Sequence, residues 1–336
     1  MTKPDEPKRA DLVLSGGGVK GIGLVGAVVA LMDAGYEAQR VSGTSAGSIV
    51  GAIVAAASQG QKMTGAEVKE LALSIDYKKF LDPGPIERVP VIGPSYALLR
   101  GNGIYRGDYA HDWIRDQLKS LGVSTFGDLA IDDPELPPER RYKLVVTVAD
   151  VTTGQLVRLP WDYRRVYGLD PDEQQVADAV RASMSIPFYF EAVKLTSSMG
   201  LTSTLVDGGI LSNFPIDTLD RTDGQKPRWP SFGVTVLPNL PEGNDAVIPA
   251  LRLLNVLGST HLLEEVITTV LVGRDQAYLN QPWVSARAIR VNSTEVGFLD
   301  FNISADEIEA LYEKGYSAAQ NFLKTWDWQA YLAEYR

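Results

Sequence analysis

The sequence predicts an α/β protein, a single domain built on a mostly parallel central sheet with helices on both faces. Three observations lead there. Within the first sixty residues a short strand-like segment, a glycine turn and a helix of small and apolar residues occur twice in succession, the pattern of parallel strands joined by covering helices. The 336 residues are 45% hydrophobic and only 22% charged, enough to bury a large core. No linker rich in Pro, Ser and Gly divides the chain into two self-sufficient halves, and it contains no internal repeat.

Residues 1–10, with Lys3, Asp5, Glu6, Lys8 and Arg9, are expected to form a flexible N-terminus, leaving 11–336 as the domain. This segment lacks the apolar stretch of a signal peptide. The most continuous apolar run, Ile49 to Ala57, is far short of the ~20 residues that span a bilayer. Both points predict a soluble, cytoplasmic protein. Asp11–Ser15 reads as a buried strand, followed by glycines 16 to 18 and a helix from about Lys20 to Ala34 that Gly35 closes. Arg40–Ser42 is a second strand, and Gly43–Gly47 turns it into a helix through Ala57 that is small or apolar on every face and so belongs in the centre. Asp82–Tyr105, with Pro83, Pro85, Pro90 and Pro94, reads as a long apolar loop. A helix from about Gly107 to Ser120 precedes a hairpin of Tyr142–Val148 and Gln155–Leu159, turned at Thr152–Gly154. A helix over Glu173–Ala182 and strands at Thr204–Asp207 and Phe232–Leu237 complete the part of the chain that carries motifs, to about residue 240. The remainder, about 241–336, is predicted to be mainly helical. It contains an amphipathic stretch at Ala246–Val272 and a last helix opened by the capping box Ser304-Ala-Asp-Glu307, with Ile308, Leu311, Tyr312, Gly315, Ala319, Phe322 and Leu323 on its inward stripe.

The formal net charge of -10 argues against nucleic acid as a partner and against electrostatic docking on anionic lipid. Membrane contact would then come from local apolar surface and be transient. The absence of cysteine removes disulfides, thiol catalysis and zinc sites of the Cys type.

Chemistry concentrates at two glycine turns. Gly43-x-Ser45-x-Gly47 has the form of a nucleophile elbow, a sharp strand-to-helix turn that presents a serine at the top of a sheet. Gly43 and Gly47 are needed because a Cβ at either flank would collide with a neighbouring element. The helix start behind Ser45 favours the negative charge of an acyl-transfer intermediate. Taken alone, the pentapeptide also fits an ordinary strand-to-helix loop. The first turn, Ser15 to Gly21, lies between strand and helix, with Gly16 standing 29 residues before Ser45. Gly16-x-Gly18-x-x-Gly21 matches the dinucleotide fingerprint, but the next strand runs into the serine elbow where that reading wants an acidic residue. A phosphate-binding P-loop fails too, since Ile22 and Gly23 follow Gly21. The remaining use is an oxyanion hole made by Gly16, Gly17 and Gly18, with the amides of Gly17 and Gly18 aimed at the substrate carbonyl. Lys20 is expected as a surface or helix-start residue.

A serine hydroxyl needs a base, usually histidine, and the chain has two. His111 falls on a predicted amphipathic helix and His261 within a long helical stretch. The order Ser45, Asp207, His261 mimics an α/β-hydrolase triad, but the elbow follows the second strand, and a mid-helix imidazole seldom turns toward a serine. Asp207 ends a strand, where α/β sites gather, and Gly208 and Gly209 leave space around it. Alone, Asp-Gly-Gly is an ordinary turn.

Together, Gly16-Gly-Gly-Val-Lys-Gly21, Gly43-Thr-Ser-Ala-Gly47 and Asp207-Gly-Gly209 resemble the patatin-like phospholipases, over roughly residues 10 to 240. Gly103–Gly107, Thr125–Leu129, Thr147–Gly154, Ser183–Pro187 and Asn213–Pro215 are similar as well. Lys20 stands where many members carry arginine. The resemblance implies one patatin-like domain, a Ser45-Asp207 dyad without histidine, an oxyanion hole from the glycine loop, and hydrolysis of acyl esters in phospholipids or related lipids, with no metal or cofactor. An ordinary carboxylate, near pKa ~3.9, is a weak base for this step, so desolvation and oxyanion stabilisation have to compensate. Asp82–Leu99 is a candidate lid beside an acyl groove, a loop packed on the core being the alternative. A general carboxylesterase or acyltransferase using the same two residues, and a non-catalytic lipid- or nucleotide-binding module, stay open as other readings.

Overall fold

The computed structural model describes residues 8–59, 62–83, 103–236, 269–270, 273, 275–293 and 295–336. The first half of the chain alternates strands and helices as β1 (Lys8–Leu14), α1 (Gly21–Asp33), β2 (Tyr36–Thr44), α2 (Ala46–Ala57), α3 (Gly65–Leu73), α4 (Asp108–Ser120), β3 (Leu144–Asp150) and β4 (Gln155–Leu159). Next come α5 (Val176–Ser183), β5 (Val193–Thr196), β6 (Thr202–Asp207), β7 (Ser231–Thr235), α6 (Gln276–Leu279), α7 (Pro282–Ser285), β8 (Ala288–Arg290), α8 (Ala305–Leu323) and α9 (Trp328–Tyr335).

Among the described residues eight strands form one sheet in the order β5-β6-β3-β2-β1-β7-β8, with β4 joined to β3. The run β3-β2-β1-β7-β8 is parallel, and β4, β5 and β6 are antiparallel to their neighbours. The period-2 alternation of strands puts Leu12, Leu14, Leu144 and Val146 into the main core with α1 and α2, while Val13 and Val145 face the other way onto Leu219. Phe214 and Ile216 cover β7 at Gly233 on that second face and pack with Leu279 of α6 and Val284 of α7. Helices therefore lie on both faces of the sheet, as the sequence predicts.

The last long helix reaches the core through small residues. A Cβ at Gly315 of α8 would stand 1.9 Å from the Gly23 carbonyl of α1, and one at Gly26 would stand 2.0 Å from the Tyr312 carbonyl. Gly315 on the inward stripe is thus what lets α8 touch the backbone of α1. The capping box at Ser304 is formed, with the Ser304 hydroxyl accepting from the Glu307 amide at 3.3 Å.

Several elements differ from the sequence expectation. β1 starts at Lys8 because Lys8–Ala10 pairs with Tyr36–Ala38, which likewise extends β2 back from Arg40. α3, opened by a capping box between Thr64 and Glu67, and the short β5 were not anticipated. The amphipathic stretch 246–272 lies outside the described residues apart from 269 and 270, as does most of the apolar loop at 82–105. Among the described residues no helix is long and apolar enough to cross a membrane.

The edge of β3 decides where chemistry can occur. β4 pairs with Val146–Asp150 along one edge, so β2 and β6 divide the other. β2 runs parallel to β3 and stops at the pair Thr44–Thr147, while β6 comes from the opposite direction and stops at the pair Asp207–Val148. The two strands meet end to end, one register step apart, and the residues that follow must both leave the sheet there.

Candidate active site

Ser45 is the residue that leaves β2. It sits between Thr44 and α2 with φ 52 and ψ -123, a left-handed backbone that a serine adopts only when its surroundings impose it. Those surroundings are backbone. A Cβ at Gly43 would lie 2.2 Å from the Gly47 carbonyl, and one at Gly47 would lie 2.4 Å from the Leu14 carbonyl. The two flanking glycines thus let the turn close against itself and against β1. The Ser45 amide donates to Ser183 Oγ at 2.8 Å, and that hydroxyl donates onward to the Thr147 carbonyl at 2.7 Å. Ser183, which ends α5, so ties the strained turn to β3.

Asp207 leaves β6 at the same level and is fully buried. Its amide donates to the Ser185 carbonyl at 2.9 Å, so the three residues 183–185 hold both strand ends. Its Oδ1 accepts from the Gly209 amide at 2.8 Å, while Oδ2 is buried with no hydrogen-bond partner among the described residues. Burial pushes the carboxyl from 3.8 up to about 7, and the nearby Ser45 hydroxyl and the Gly209 amide pull weakly the other way. The supporting glycines act differently from the expectation of open space: a Cβ at Gly208 would meet the Thr147 carbonyl at 2.3 Å, so that position is filled by β3 itself.

The glycine loop lies on the neighbouring strand. Gly16 packs against the site so closely that a Cβ would be 3.1 Å from that of Ser45, but its amide donates to the Asn213 carbonyl at 3.1 Å. That bond removes the Gly16 amide from the expected oxyanion set of Gly16, Gly17 and Gly18. The amides of Gly17 and Gly18 donate to no protein acceptor among the described residues. Gly18 has φ 53, and a Cβ there would strike the Phe298 carbonyl at 2.0 Å. Lys20 precedes α1, as expected of a helix-start residue, but it is not on the surface: it is buried, and burial lowers its ammonium to about 8.

The sequence reading missed the groups that hold this arrangement. The hydroxyl of Ser183 and the carbonyl of Ser185 fall inside a segment that carries the family resemblance, without a role attached. Asn213 brackets Gly16, its carbonyl accepting from the Gly16 amide and its side-chain amide lying 3.5 Å from the Gly16 carbonyl. Asp275 Oδ2 accepts from the amides of both Asn213 and Phe214 at 2.7 Å each. No local motif marks Asp275, since its partners are some sixty residues away in sequence.

A groove with ≈ 580 Å³ of empty space, its open mouth included, reaches Ser45. Its walls are apolar, formed among others by Ile49, Ile53, Phe80, Met184, Ile186 and Phe190. No histidine borders it among the described residues: His111 is on α4 with Nε2 2.7 Å from Asp178 Oδ1, and His261 lies outside the described residues. The segment 82–99, expected as a candidate lid, is described only at Asp82 and Pro83, of which Pro83 bridges to Tyr105 and Tyr105 in turn to Phe190 in the groove wall.

A family model with the description patatin-like phospholipase matches residues 12–220. A Bacillus subtilis (strain 168) protein, described as uncharacterized protein YqhO, is 34% identical over 320 residues, covering 94% of this chain and 98% of its own. Among solved structures, VipD from Legionella pneumophila aligns at a TM-score of 0.49 and 18% identity, over 97% of this chain and 72% of that one. A chain in the complex of SpcU with ExoU, from the type III secretion system of Pseudomonas aeruginosa, aligns at 0.48 and 20% identity, over 95% of this chain and 54% of that one.

Proposed function

Because the chain belongs to the patatin-like phospholipase family, a family of lipid acyl hydrolases, we propose that it cleaves acyl esters of phospholipids or related lipids with Ser45 as nucleophile and Asp207 as base. The observation that carries this reading is the pairing of a serine in a strained turn, lining an apolar groove, with a fully buried carboxylate whose pKa burial pushes up to about 7. A carboxylate of ordinary basicity takes a proton from a serine hydroxyl poorly. Burial brings Asp207 close to the range where a general base is both ionised and basic enough at neutral pH.

In the proposed reaction the acyl chain lies along the groove of Ile49, Ile53 and Phe190, and the ester carbonyl meets Ser45. As Oγ attacks the carbonyl carbon, its proton passes to Asp207 Oδ2, the oxygen left without another partner. The carbonyl oxygen gains charge as the tetrahedral intermediate forms and is held by the amides of Gly17 and Gly18. Collapse expels the alcohol, which takes the proton from Asp207, and leaves the acyl group on Ser45. Water then attacks the acyl-enzyme with Asp207 again as base, and as the bond to Ser45 breaks the proton returns from Asp207 to Ser45 Oγ and the fatty acid is released.

The test uses a mixed phospholipid dispersion with products identified by mass spectrometry, beside a fluorophosphonate probe for Ser45. Ser45→Ala and Asp207→Asn are each expected to lose hydrolysis by about three orders of magnitude or more, while the His111→Ala, His261→Ala double variant retains it. Loss of activity in the folded double variant would overturn the dyad. Hydrolysis confined to short soluble esters would make the protein a carboxylesterase, transfer of the acyl group to an added alcohol an acyltransferase, and absence of both hydrolysis and labelling a binding module.

A further inference from the structure

Two turns at the far end of β3 and β6 share a composition that the hydrolytic site does not explain. The turn after β3 and the start of β4, residues 151–157, and the stretch 195–206 that joins β5 to β6 contain no charged side chain, in a chain that is 22% charged. They are neighbours in space: the Val151 amide donates to the Thr204 carbonyl at 3.0 Å, and the Thr204 amide donates to Thr152 Oγ1 at 2.8 Å. Turns normally carry polar or charged residues. Here Met199 is 85% exposed, Leu201 70% and Val151 53%, and the remaining exposed large apolar side chains among the described residues, Phe188 and Val270, reach only 36%.

The turn that displays Met199 and Leu201 is rigid. The Ser197 amide donates to the Leu201 carbonyl at 2.8 Å, the Leu201 amide donates to Ser197 Oγ at 3.1 Å, and the Gly200 amide donates to the Ser197 carbonyl at 3.0 Å. Gly200 has φ 79, the backbone that closes such a turn, and a Cβ there would meet nothing within 4 Å. Two apolar side chains are therefore held outward on a pre-formed tip, which spares most of the ordering entropy that insertion would otherwise cost. The tip points past the catalytic end of the sheet, because β6 runs from it to Asp207. Six residue steps lead from Leu201 to Asp207, a span of about 20 Å. Lys194, opposite Thr204 across β5 and β6, donates its Nζ to Thr204 Oγ1, and the pairs Arg164–Asp170 and Arg165–Asp162 belong to the segment whose Tyr167 carbonyl accepts from the Ser198 amide.

We propose that this uncharged double turn, led by Met199 and Leu201 with Val151 beside them, is the surface by which the protein docks on a lipid bilayer. The proposal rests on the lipid hydrolase reading for its choice of occupant. The chemistry also points that way: a net charge of -10 repels an anionic surface, and a tip without charges can enter the headgroup region without desolvating an ion. Contact of this kind depends on apolar burial and not on ion pairing, so a zwitterionic membrane suffices and added salt leaves the contact intact.

The experiment is flotation of the full chain carrying Ser45→Ala with phosphatidylcholine vesicles, compared with the same chain carrying Met199→Asp and Leu201→Asp as well. The aspartates are expected to lower the vesicle-bound fraction by about tenfold or more, with the melting temperature unchanged, since both positions are solvent-facing. Met199→Leu with Leu201→Met is expected to keep binding. In the active enzyme the two aspartates should lower hydrolysis of vesicle lipid by about the same factor and leave a soluble short-chain ester within about twofold. Equal flotation of the two proteins, or flotation lost on raising salt, overturns the proposal. So does self-association in sedimentation that the aspartates abolish, which would make a second copy the occupant. If no ester is cleaved but flotation still depends on Met199 and Leu201, the hydrolase reading fails and the docking surface stands.

Discussion

The basicity of Asp207 offers the most demanding test, because it links activity and stability with opposite signs. Moving a carboxyl from 3.8 to about 7 means that the fold disfavours its ionised form by about 4 kcal/mol relative to water. In the proposed reaction Asp207 can act as the base only when ionised. At pH 6 about one molecule in ten then carries a competent base, and at pH 5 about one in a hundred, so kcat/KM falls about tenfold for each pH unit below 7 and is level above it. Stability runs the other way. The folded pKa lies above the unfolded value, so the folded state binds more protons between them, and the contribution present below pH 3.8 is lost as pH rises toward and through about 7. Asp207→Asn removes the ionisation and keeps an acceptor for the Gly209 amide. It should therefore raise the melting temperature at pH 8, leave it nearly unchanged near pH 4, and abolish turnover at both. The assays are initial rates on a soluble short-chain ester across pH at fixed ionic strength, and thermal melts of both proteins over the same range. An acid limb with its midpoint at or below about pH 5, or a variant whose melting curve follows the wild type at every pH, would refute the reasoning that burial makes this carboxyl a base.

Substitutions at four positions probe the turns. Ser183→Ala leaves the Ser45 amide without its buried acceptor, a cost of about 1–3 kcal/mol, and is expected to lower kcat with KM little changed; Ser183→Thr, which retains the hydroxyl, should restore much of it. Ser45→Gly relieves a positive φ and should raise stability by about 1 kcal/mol while fluorophosphonate labelling disappears, as read by melting curves and mass spectrometry. Gly47→Ala drives a Cβ to 2.4 Å from the Leu14 carbonyl and should prevent the native fold. Gly154→Ala, where a Cβ meets nothing within 4 Å, should cost only about 1 kcal/mol for its φ of 70.

The parts of the fold that are legible in the sequence are those with a local cause. Small residues on every face of 46–57 mark α2 as central, and the alternation of strand and helix around Gly16 and Gly43 marks a parallel sheet, since a crossover helix is the usual link between such strands. The early start of β1 was not legible, because Lys8 and Arg9 read as solvent-facing residues. They join the sheet only because Tyr36 and Glu37 offer a partner strand. β5 escaped for a similar reason: four residues of mixed polarity become a strand by pairing with β6. At the site, Ser45, Gly43, Gly47 and the glycine loop carry their signals in adjacent residues. Ser183, Asn213 and Asp275 do not, since each acts on backbone far away in sequence and any small hydroxyl, amide or carboxylate looks alike until the chain has folded.

One expectation set Asp207 as a weak base for which desolvation and oxyanion stabilisation would have to compensate. The folded chain achieves that desolvation without substrate, and the direction of the strands accounts for it. Had β6 been parallel to β3, its C-terminal end would have opened beside that of β2 onto the solvent-facing rim of the sheet. Because it is antiparallel and shares the β3 edge with β2, its last residue is driven toward the middle of the sheet, between Thr147 and Val148 on one side and the 183–185 segment on the other. The same collision forces Ser45 out of the strand and into its positive φ. The strained turn at Ser45 and the raised pKa of Asp207 therefore share a single origin in topology. A variant that moves the end of β6, such as deletion of one residue between Thr202 and Leu205, should disturb both together: the register slip turns the side chains that follow the deletion to the opposite face and carries Asp207 away from Val148. Retained labelling of Ser45 in such a folded variant would show that the elbow is self-sufficient and that the meeting of the two strands is not its cause.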